Sequence, residues 1–142
     1  MKNTARPAVS YALITAAPAR ELIALYKASG WWVESAHERR ILPKLVKNSF
    51  AFAVARDSTG KIIGMGRVIS DGCSDGYIQD VTVLPKYRGL GIGKGIIEFL
   101  TKHCLKKKLV WIGLVAEPGT YPFYRKLSFK DKKGFQLMLY AP

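Results

Sequence analysis

Cysteine, histidine and acidic side chains are all scarce in this sequence, and each shortage removes a class of function. Two cysteines, Cys73 and Cys104, are too few to staple a fold with disulfides. With two histidines and no Cys-x-x-Cys pair, the spacing that a zinc site needs is missing, and no metal is expected. Both thiols read as small core hydrophobes of a reduced, cytoplasmic protein. Asp and Glu together number 10 against 23 Lys and Arg, so the net charge is +13. Such an excess favours an anionic partner, whether a nucleic acid, an acidic surface or a phosphorylated small molecule, and carries no information on fold.

Long apolar runs are absent too. The longest, Leu109 to Ala116, falls far short of the ~20 residues of a membrane-spanning helix, and no membrane partner is expected. Lys2 and Arg6 before Pro7–Ala17, with Ala17-Pro18-Ala19 at its end, have the outline of a secretory leader. Ser10, Tyr11 and Thr15 interrupt that stretch, which holds a single Leu and a single Ile. It reads instead as a first strand, in which Tyr11 and Leu13 alternate with Ser10 and Ala12, followed by a helix opened at Pro18. There is no repeat, low-complexity segment or linker. The 142 residues therefore make one domain, 1–142.

Periodicity places the elements. Leu22, Ile23, Leu25 and Tyr26 recur at helical spacing, and Ser29-Gly30 ends that helix. Glu34 to Lys47 reads as a second helix, which Pro43 should end or kink. Phe50 to Arg56 and Lys61 to Ser70 form a hairpin around Asp57-Ser58-Thr59-Gly60. Tyr77 to Leu84 is a third long strand, stopped by Pro85. A glycine-rich turn, Gly89 to Gly95, opens a helix with Ile92, Ile96, Leu100 and Cys104 on its apolar face. The uninterrupted run Leu109 to Val115 has the composition of a strand buried on both faces. A short helix near Tyr121 to Leu127 and a last strand, Phe135 to Tyr140, complete the order β-α-α-β-β-β-α-β-α-β. The fold class is α/β (α+β): a mixed, twisted sheet of about six strands with helices on both faces. Its crossover around the glycine turn is parallel and its earlier hairpin antiparallel.

The chemistry concentrates in Val83-Leu-Pro-Lys-Tyr-Arg-Gly-Leu-Gly-Ile-Gly-Lys94. Gly89, Gly91 and Gly93 admit a ligand close to the main chain. Successive N–H groups of such a turn, backed by a helix N-terminus and flanked by Arg88 and Lys94, describe a pyrophosphate cradle. Two better-known phosphate motifs fail. Gly93-Lys94 is followed by Gly95 rather than Ser or Thr, and G-x-G-x-x-G would need glycine at Lys94 or Ile96.

This segment resembles the acyl-coenzyme A signature, Arg/Gln-x-x-Gly-x-Gly/Ala, of the GNAT superfamily of N-acetyltransferases. Phe123-Tyr-Arg-Lys-Leu-Ser-Phe129 is similar to that family's Phe-Tyr-x-x-x-Gly-Phe segment, with Ser128 in place of the usual glycine. The resemblance implies acetyl-CoA as co-substrate and acetyl transfer to a primary amine, on a small molecule or a protein. It implies that Arg88, Gly89, Leu90, Gly91, Ile92, Gly93 and Lys94 hold the pyrophosphate. Val81 and Val83 would pair with the pantetheine arm along a bulged strand that splays from its parallel neighbour. Tyr124 falls at the position of the acid that protonates the departing thiolate, and Glu117 near a position that is often Asn. It also admits a homodimer.

A general base is less sharply marked. Asp80, next to Val81, is the first candidate, ahead of Glu34 and Glu117. Trp31 and Trp32 follow the first helix, where one ring can close the core and the other can meet an amine by stacking or cation–π contact. Two other readings remain: an acyl-CoA-binding protein without catalysis, and a basic nucleic-acid-binding module. The cations are scattered, and the one dense run, Lys106-Lys107-Lys108, has no nucleic-acid motif around it, so no specific nucleic acid is expected.

Overall fold

The computed structural model describes residues 7–142. Five strands form one sheet in the order β1 (Ser10–Leu13), β2 (Ala51–Arg56), β3 (Ile62–Ile69), β4 (Asp75–Val83) and β5 (Trp111–Leu114). The first four are antiparallel neighbours, and β5 joins β4 in parallel. Helices α1 (Ala19–Ala28) and α2 (Ala36–Asn48) follow β1. Helix α3 (Ile92–Lys106) is the crossover from β4 to β5, and α4 (Tyr121–Arg125) follows β5. None of the described helices is long and apolar enough to cross a membrane.

The interior strand β2 shows how the two layers are built. Ala51, Ala53 and Ala55 turn to one face and meet Ile92, Ile96, Leu100 and Cys104 of α3. Phe52 and Val54 turn to the other and meet Leu22, Leu25 and Tyr26 of α1 and Leu42 and Val46 of α2. Period-two alternation thus supplies small side chains to one layer and large ones to the other. The same economy of volume continues on β3. A Cβ added at Gly64 or Gly66 would stand 2.9 Å from Ile96, so the bare backbone lets α3 lie close to the sheet. Gly95 serves the same end from the helix side, where Tyr11 of β1 occupies the space of a side chain.

Five expectations need correction. Pro43 neither ends nor interrupts α2. It lies on the exposed face, where water can solvate the carbonyl it leaves free, while Leu42 and Val46 anchor the helix from the core side. Helix α3 starts at Ile92, inside the glycine run, so Gly93 and Gly95 belong to its first turn. Cys104 is buried but Cys73 is exposed in the loop before β4. Most consequentially, Phe135 to Tyr140 forms no strand, so among the described residues the sheet has five strands rather than about six. For the same reason β5 is an edge and not a strand buried on both faces: Trp111 is half exposed and Val115 nearly so. Apolar alternation marks what can pair, but a ladder needs a partner, and this segment lies on none.

Helix α4 ends in a left-handed cap. Phe129 N–H donates to Tyr124 O at 3.2 Å and Ser128 N–H to Arg125 O at 3.3 Å, while the Phe129 and Tyr124 rings meet at 6.0 Å. This is the hydrogen-bond pattern that glycine usually closes. Ser128 occupies the left-handed position with φ 69°. Replacing it with glycine removes a steric cost of about 1 kcal/mol. Ser128→Gly should raise Tm by roughly 2–6 °C in a thermal melt; a lower Tm would show that the serine contributes something the cap geometry does not.

Candidate active site

The site begins with one surplus residue in β4. Gly64 pairs with Val83 and Met65 with Thr82, but Arg67 pairs with Gln79, so both Asp80 and Val81 stand opposite Gly66. A bulge of this kind bends its strand and increases the local twist. Asp80 takes the left-handed conformation, φ 57°, which non-glycine residues rarely adopt. Its side chain is held in return. Tyr26 Oη donates to Asp80 Oδ2 at 2.8 Å, and Arg67 Nε donates to the same oxygen at 2.7 Å. Arg67 Nη2 also donates to Gln79 Oε1 at 2.9 Å, bracing the residue before the bulge. The ion pair is well shielded, with 14% of the Arg67 side chain and 17% of the Asp80 side chain exposed. Burial, and then the charge of Asp80, push the Tyr26 hydroxyl far above its ordinary range, so it remains a neutral donor.

Beside the bulge the sheet opens. Pairing of β4 with β5 runs from Asp75–Trp111 to Ile78–Leu114 and stops there, two residues before Asp80. Leu84 N–H donates to Ile63 O at 2.9 Å, which makes Gly64–Val83 a non-hydrogen-bonded pair. The N–H and C=O of Val83 therefore point away from β3, toward the side that β5 has left. Arg88 Nε takes the carbonyl at 2.9 Å. The N–H faces the opening.

The glycine turn borders that opening. After the short helical turn Pro85–Tyr87, Gly89 (φ 76°) and Gly91 (φ 82°) both take left-handed angles, and Gly91 caps α3. No side chain caps the helix. Gly95 N–H donates to Gly91 O at 3.0 Å, so the N–H groups of Ile92, Gly93 and Lys94 precede the helical ladder and lack an acceptor within it. A Cβ at Gly89 or Gly91 would meet nothing within 4 Å, so the turn faces open space. Three free donors, an uncompensated helix N-terminus and open space above it suit a diphosphate. Gly93 has a different task, since its Cβ position lies 3.5 Å from the Phe123 ring and 3.8 Å from Val83 Cγ2. Helix α4 and the end of β4 therefore meet at the start of α3. Leu90 is exposed on the turn, Ile92 is buried so that only its backbone is available, and Lys94 Nζ sits 3.7 Å from Glu98 in an exposed pair of little strength.

Tyr124, half-buried on α4, meets Phe123 edge-on at 4.9 Å. Burial raises its hydroxyl above the ordinary tyrosine range, and the charge of Glu117 raises it further. Glu117 also reaches across the opening. Trp31 Nε1 donates to Glu117 Oε1 at 3.2 Å, tying the loop after α1 to the loop after β5. Ser29 and Thr82 share a hydroxyl hydrogen bond of 2.5 Å that ties the same loop to β4.

On the α1–α2 side of the bulge, a cavity of about 170 Å³ lies among Tyr26, Trp31, Trp32, Ile41, Glu38 and Asp80. The Tyr26 ring lies 6.4 Å from each indole, and Trp32 Nε1 donates to Glu34 Oε2 at 3.1 Å. Asp80, Trp31 and Trp32 thus line one cavity. Tyr26, Arg67 and Glu38 were missed. Tyr26 reads in the sequence as an ordinary apolar position of α1, and nothing local marks Arg67 as the partner of a carboxylate on the next strand. A serine three residues before Glu38 signals a helix cap, which it is, with Glu38 N–H donating to Ser35 Oγ at 3.0 Å.

Comparison with known proteins agrees with this geometry. A family model described as an acetyltransferase (GNAT) domain matches residues 48–131, from the end of α2 to just past α4. The chain is 32% identical over 123 residues to an uncharacterized N-acetyltransferase, ycf52, of Porphyra purpurea, covering 86% of this chain and 71% of that protein. It is 36% identical over 136 residues to the histone acetyltransferase TAP1 of Glycine max, covering 86% of this chain and 56% of that one. The crystal structure of a probable acetyltransferase from Staphylococcus aureus superposes with a TM-score of 0.80 at 25% identity, over 95% of this chain and 99% of the other. The bulged strand, the glycine-capped crossover helix and the matching family model together make this chain a member of the GNAT family of acetyltransferases.

Proposed function

We propose that the protein moves an acetyl group from acetyl-CoA to a primary amine whose carbon body is apolar. The observation that carries this reading is the left-handed glycine turn at the head of α3, set beside the end of β4 where β5 has parted from it. The free N–H groups of Ile92, Gly93 and Lys94, with Arg88 alongside, would hold the diphosphate. Acetyl-CoA supplies an activated acyl thioester. The Val83 N–H, turned into the opening, would bond the carrier's main-chain-like arm, with Val81 beside it in the bulge. In the net step a C–N bond forms and a C–S bond breaks, the amine gives up a proton, and the thiolate takes one. Tyr124 is assigned that last donation, since its raised hydroxyl pKa keeps its proton in place through neutral pH. Asp80 is assigned the amine: both its donors use Oδ2, and its carboxylate lines the aromatic cavity. An alkyl ammonium is only about one part in 10³ deprotonated at pH 7, so a carboxylate that draws it in and receives its proton answers a real deficit.

The cavity supports an acceptor class. Two indoles and a phenol form its wall, with Glu38 and Asp80 as its anionic groups. Such a wall attracts a cation attached to a hydrocarbon or aromatic body. TAP1 of Glycine max is named a histone acetyltransferase, and a protein lysine has the same division into an apolar stem and a cationic head. In a panel assay we expect arylalkylamines and lysine-like alkylamines to turn over at low KM and polyhydroxylated amino sugars poorly. Trp32→Ala should raise KM for the good acceptors at least about tenfold, by loss of cation–π and apolar contact. Equal turnover of amino sugars would contradict this acceptor class.

Three substitutions test the machinery. Gly91→Val places a β-branched side chain at a left-handed angle and over the diphosphate cradle. Calorimetry should show acetyl-CoA affinity lowered at least about tenfold, the worth of one charge-assisted hydrogen bond, in a protein whose circular dichroism shows it folded. Unchanged affinity would place the diphosphate elsewhere. Tyr124→Phe should lower the single-turnover rate by about 10²–10⁴-fold while leaving acetyl-CoA binding intact. Binding with no turnover for any amine in the wild-type protein would favour the non-catalytic reading. Glu117→Gln provides a pH test. Removing a negative neighbour lowers a tyrosine pKa, so the alkaline limb of the rate profile should move to lower pH, by less than about one unit. An unmoved limb would mean that another group donates the proton.

A further inference from the structure

The aromatic cavity holds two carboxylates, and a single amine needs only one. Asp80 enters from the bulge of β4 and Glu38 from the first turn of α2. Their surroundings differ. Asp80 holds Arg67 and the Tyr26 hydroxyl on one oxygen. Glu38 is half-buried, yet among the described residues no cation and no hydrogen-bond donor meets its carboxylate. Its neighbour Glu34, by contrast, is taken by Arg39, Lys27 and the Trp32 indole. The places three and four residues on from Glu38, where a helix would present a lysine or arginine to it, are Ile41 and Leu42.

A helix start accounts for an acid at Glu38 in part, because a carboxylate in the first turn offsets the positive end of the helix. It does not account for the company. Ile41 and Leu45 continue the same face of α2 as an apolar strip, and Trp31 and Trp32 stand with them around the cavity of about 170 Å³. A carboxylate drawn partly out of water beside apolar groups is unfavourable until a counter-charge reaches it. A methylene chain can lie along that strip and the indoles with a cation at each end.

We propose that the acceptor is a linear α,ω-diamine, with its reacting nitrogen at Asp80 and its other nitrogen bound as an ammonium by Glu38. This rests on acetyl transfer at the cavity and narrows the acceptor to a dication. Both nitrogens of an alkyl diamine are protonated at pH 7. The net charge of +13 opposes a dication at long range, but charges beyond about 8–10 Å are largely screened at physiological salt. Two carboxylates on the wall of one cavity act inside that distance. Their fixed separation sets a preferred chain length, which a monoamine cannot sense. In the reaction a C–N bond forms at the nitrogen beside Asp80 and the C–S bond breaks. Of the two protons that this nitrogen gives up, the balance sends one to the departing sulfur and one to solvent, and the distal nitrogen stays protonated. The monoacetylated product has lost one of its two cations and with it half of its hold on the site.

The test is an acetyl-transfer assay on straight-chain acceptors from propyl to hexyl in three sets: monoamines, α,ω-diamines and ω-amino alcohols. At matched length the best diamine should have a KM at least about tenfold below that of the monoamine, the worth of one charge-assisted hydrogen bond. Diamine KM should pass through a minimum as the chain lengthens, and amino alcohols should behave like monoamines. Glu38→Gln keeps the side-chain length and a residue suited to a helix start. It should bring the ratio of diamine to monoamine KM close to one, and Glu38→Lys should turn the preference toward ω-amino carboxylates. A role in helix stability alone would move Tm and leave that ratio at its wild-type value, which overturns the inference. Monoamines that turn over as well as diamines overturn it too and leave acetyl transfer standing. Amino alcohols that match diamines would mean that Glu38 reads a hydrogen-bond donor and not a charge, and the dication is then wrong. Turnover of no amine at all removes the acetyl-transfer reading and this one together.

Discussion

A single half-buried carboxylate organises this molecule's working end. Asp80 stands in a backbone conformation that an aspartate adopts only at a cost, on a residue that the ladder with β3 has no room for. Arg67 from the next strand and Tyr26 from the opposite layer both bond its Oδ2. One oxygen therefore joins β3, β4 and α1, and holds the bulge where it is. Removing either donor leaves a poorly solvated charge behind, which is why such pairs are costly to break even when forming them gains little.

From that bulge the rest of the site follows. β4 parts from β5 two residues earlier, and the backbone of Val83 turns into the space between them. The strand then ends against a glycine turn whose left-handed angles aim three unbonded amides at the same region. On one side, Phe123 brings α4 and Tyr124 against Gly93. On the other, the loop after α1 is tied to β4 through Ser29 and Thr82 and to the loop after β5 through Trp31 and Glu117. The glycine turn, the candidate acid and the aromatic cavity thus gather around the second half of β4, positioned mainly by backbone geometry and a few long-range bonds.

The parts legible in the sequence are those whose signal is local. Glycine at Gly89 and Gly91 is demanded by backbone angle, so spacing alone exposes the turn. Alternation in β2 and the period of α3 are equally local, and with them the order of elements. What escaped was distributed. The partners of Asp80 lie 54 and 13 residues away, and no pattern connects them. Pro43 carries a local rule against helix that the packing of Leu42 and Val46 overrides. Phe135 to Tyr140 obeys the local rule for a strand yet forms none, because pairing is a property of two segments and the sequence displays one. The glycine run mixes both cases: Gly89 and Gly91 serve the turn, while Gly93 and Gly95 serve packing against Phe123 and Tyr11, a distinction invisible in spacing.

The central claim is that the opening beside the bulge and the head of α3 together receive the acyl carrier. Amide chemical shifts of isotopically labelled protein during titration with acetyl-CoA test it most directly. The account predicts that the largest changes fall on Val83, Ile92, Gly93 and Lys94, with smaller ones at the Trp31 and Trp32 indoles. Changes confined to the basic run Lys106–Lys108 at the far end of α3, with Val83 and the first turn of that helix unmoved, would contradict it.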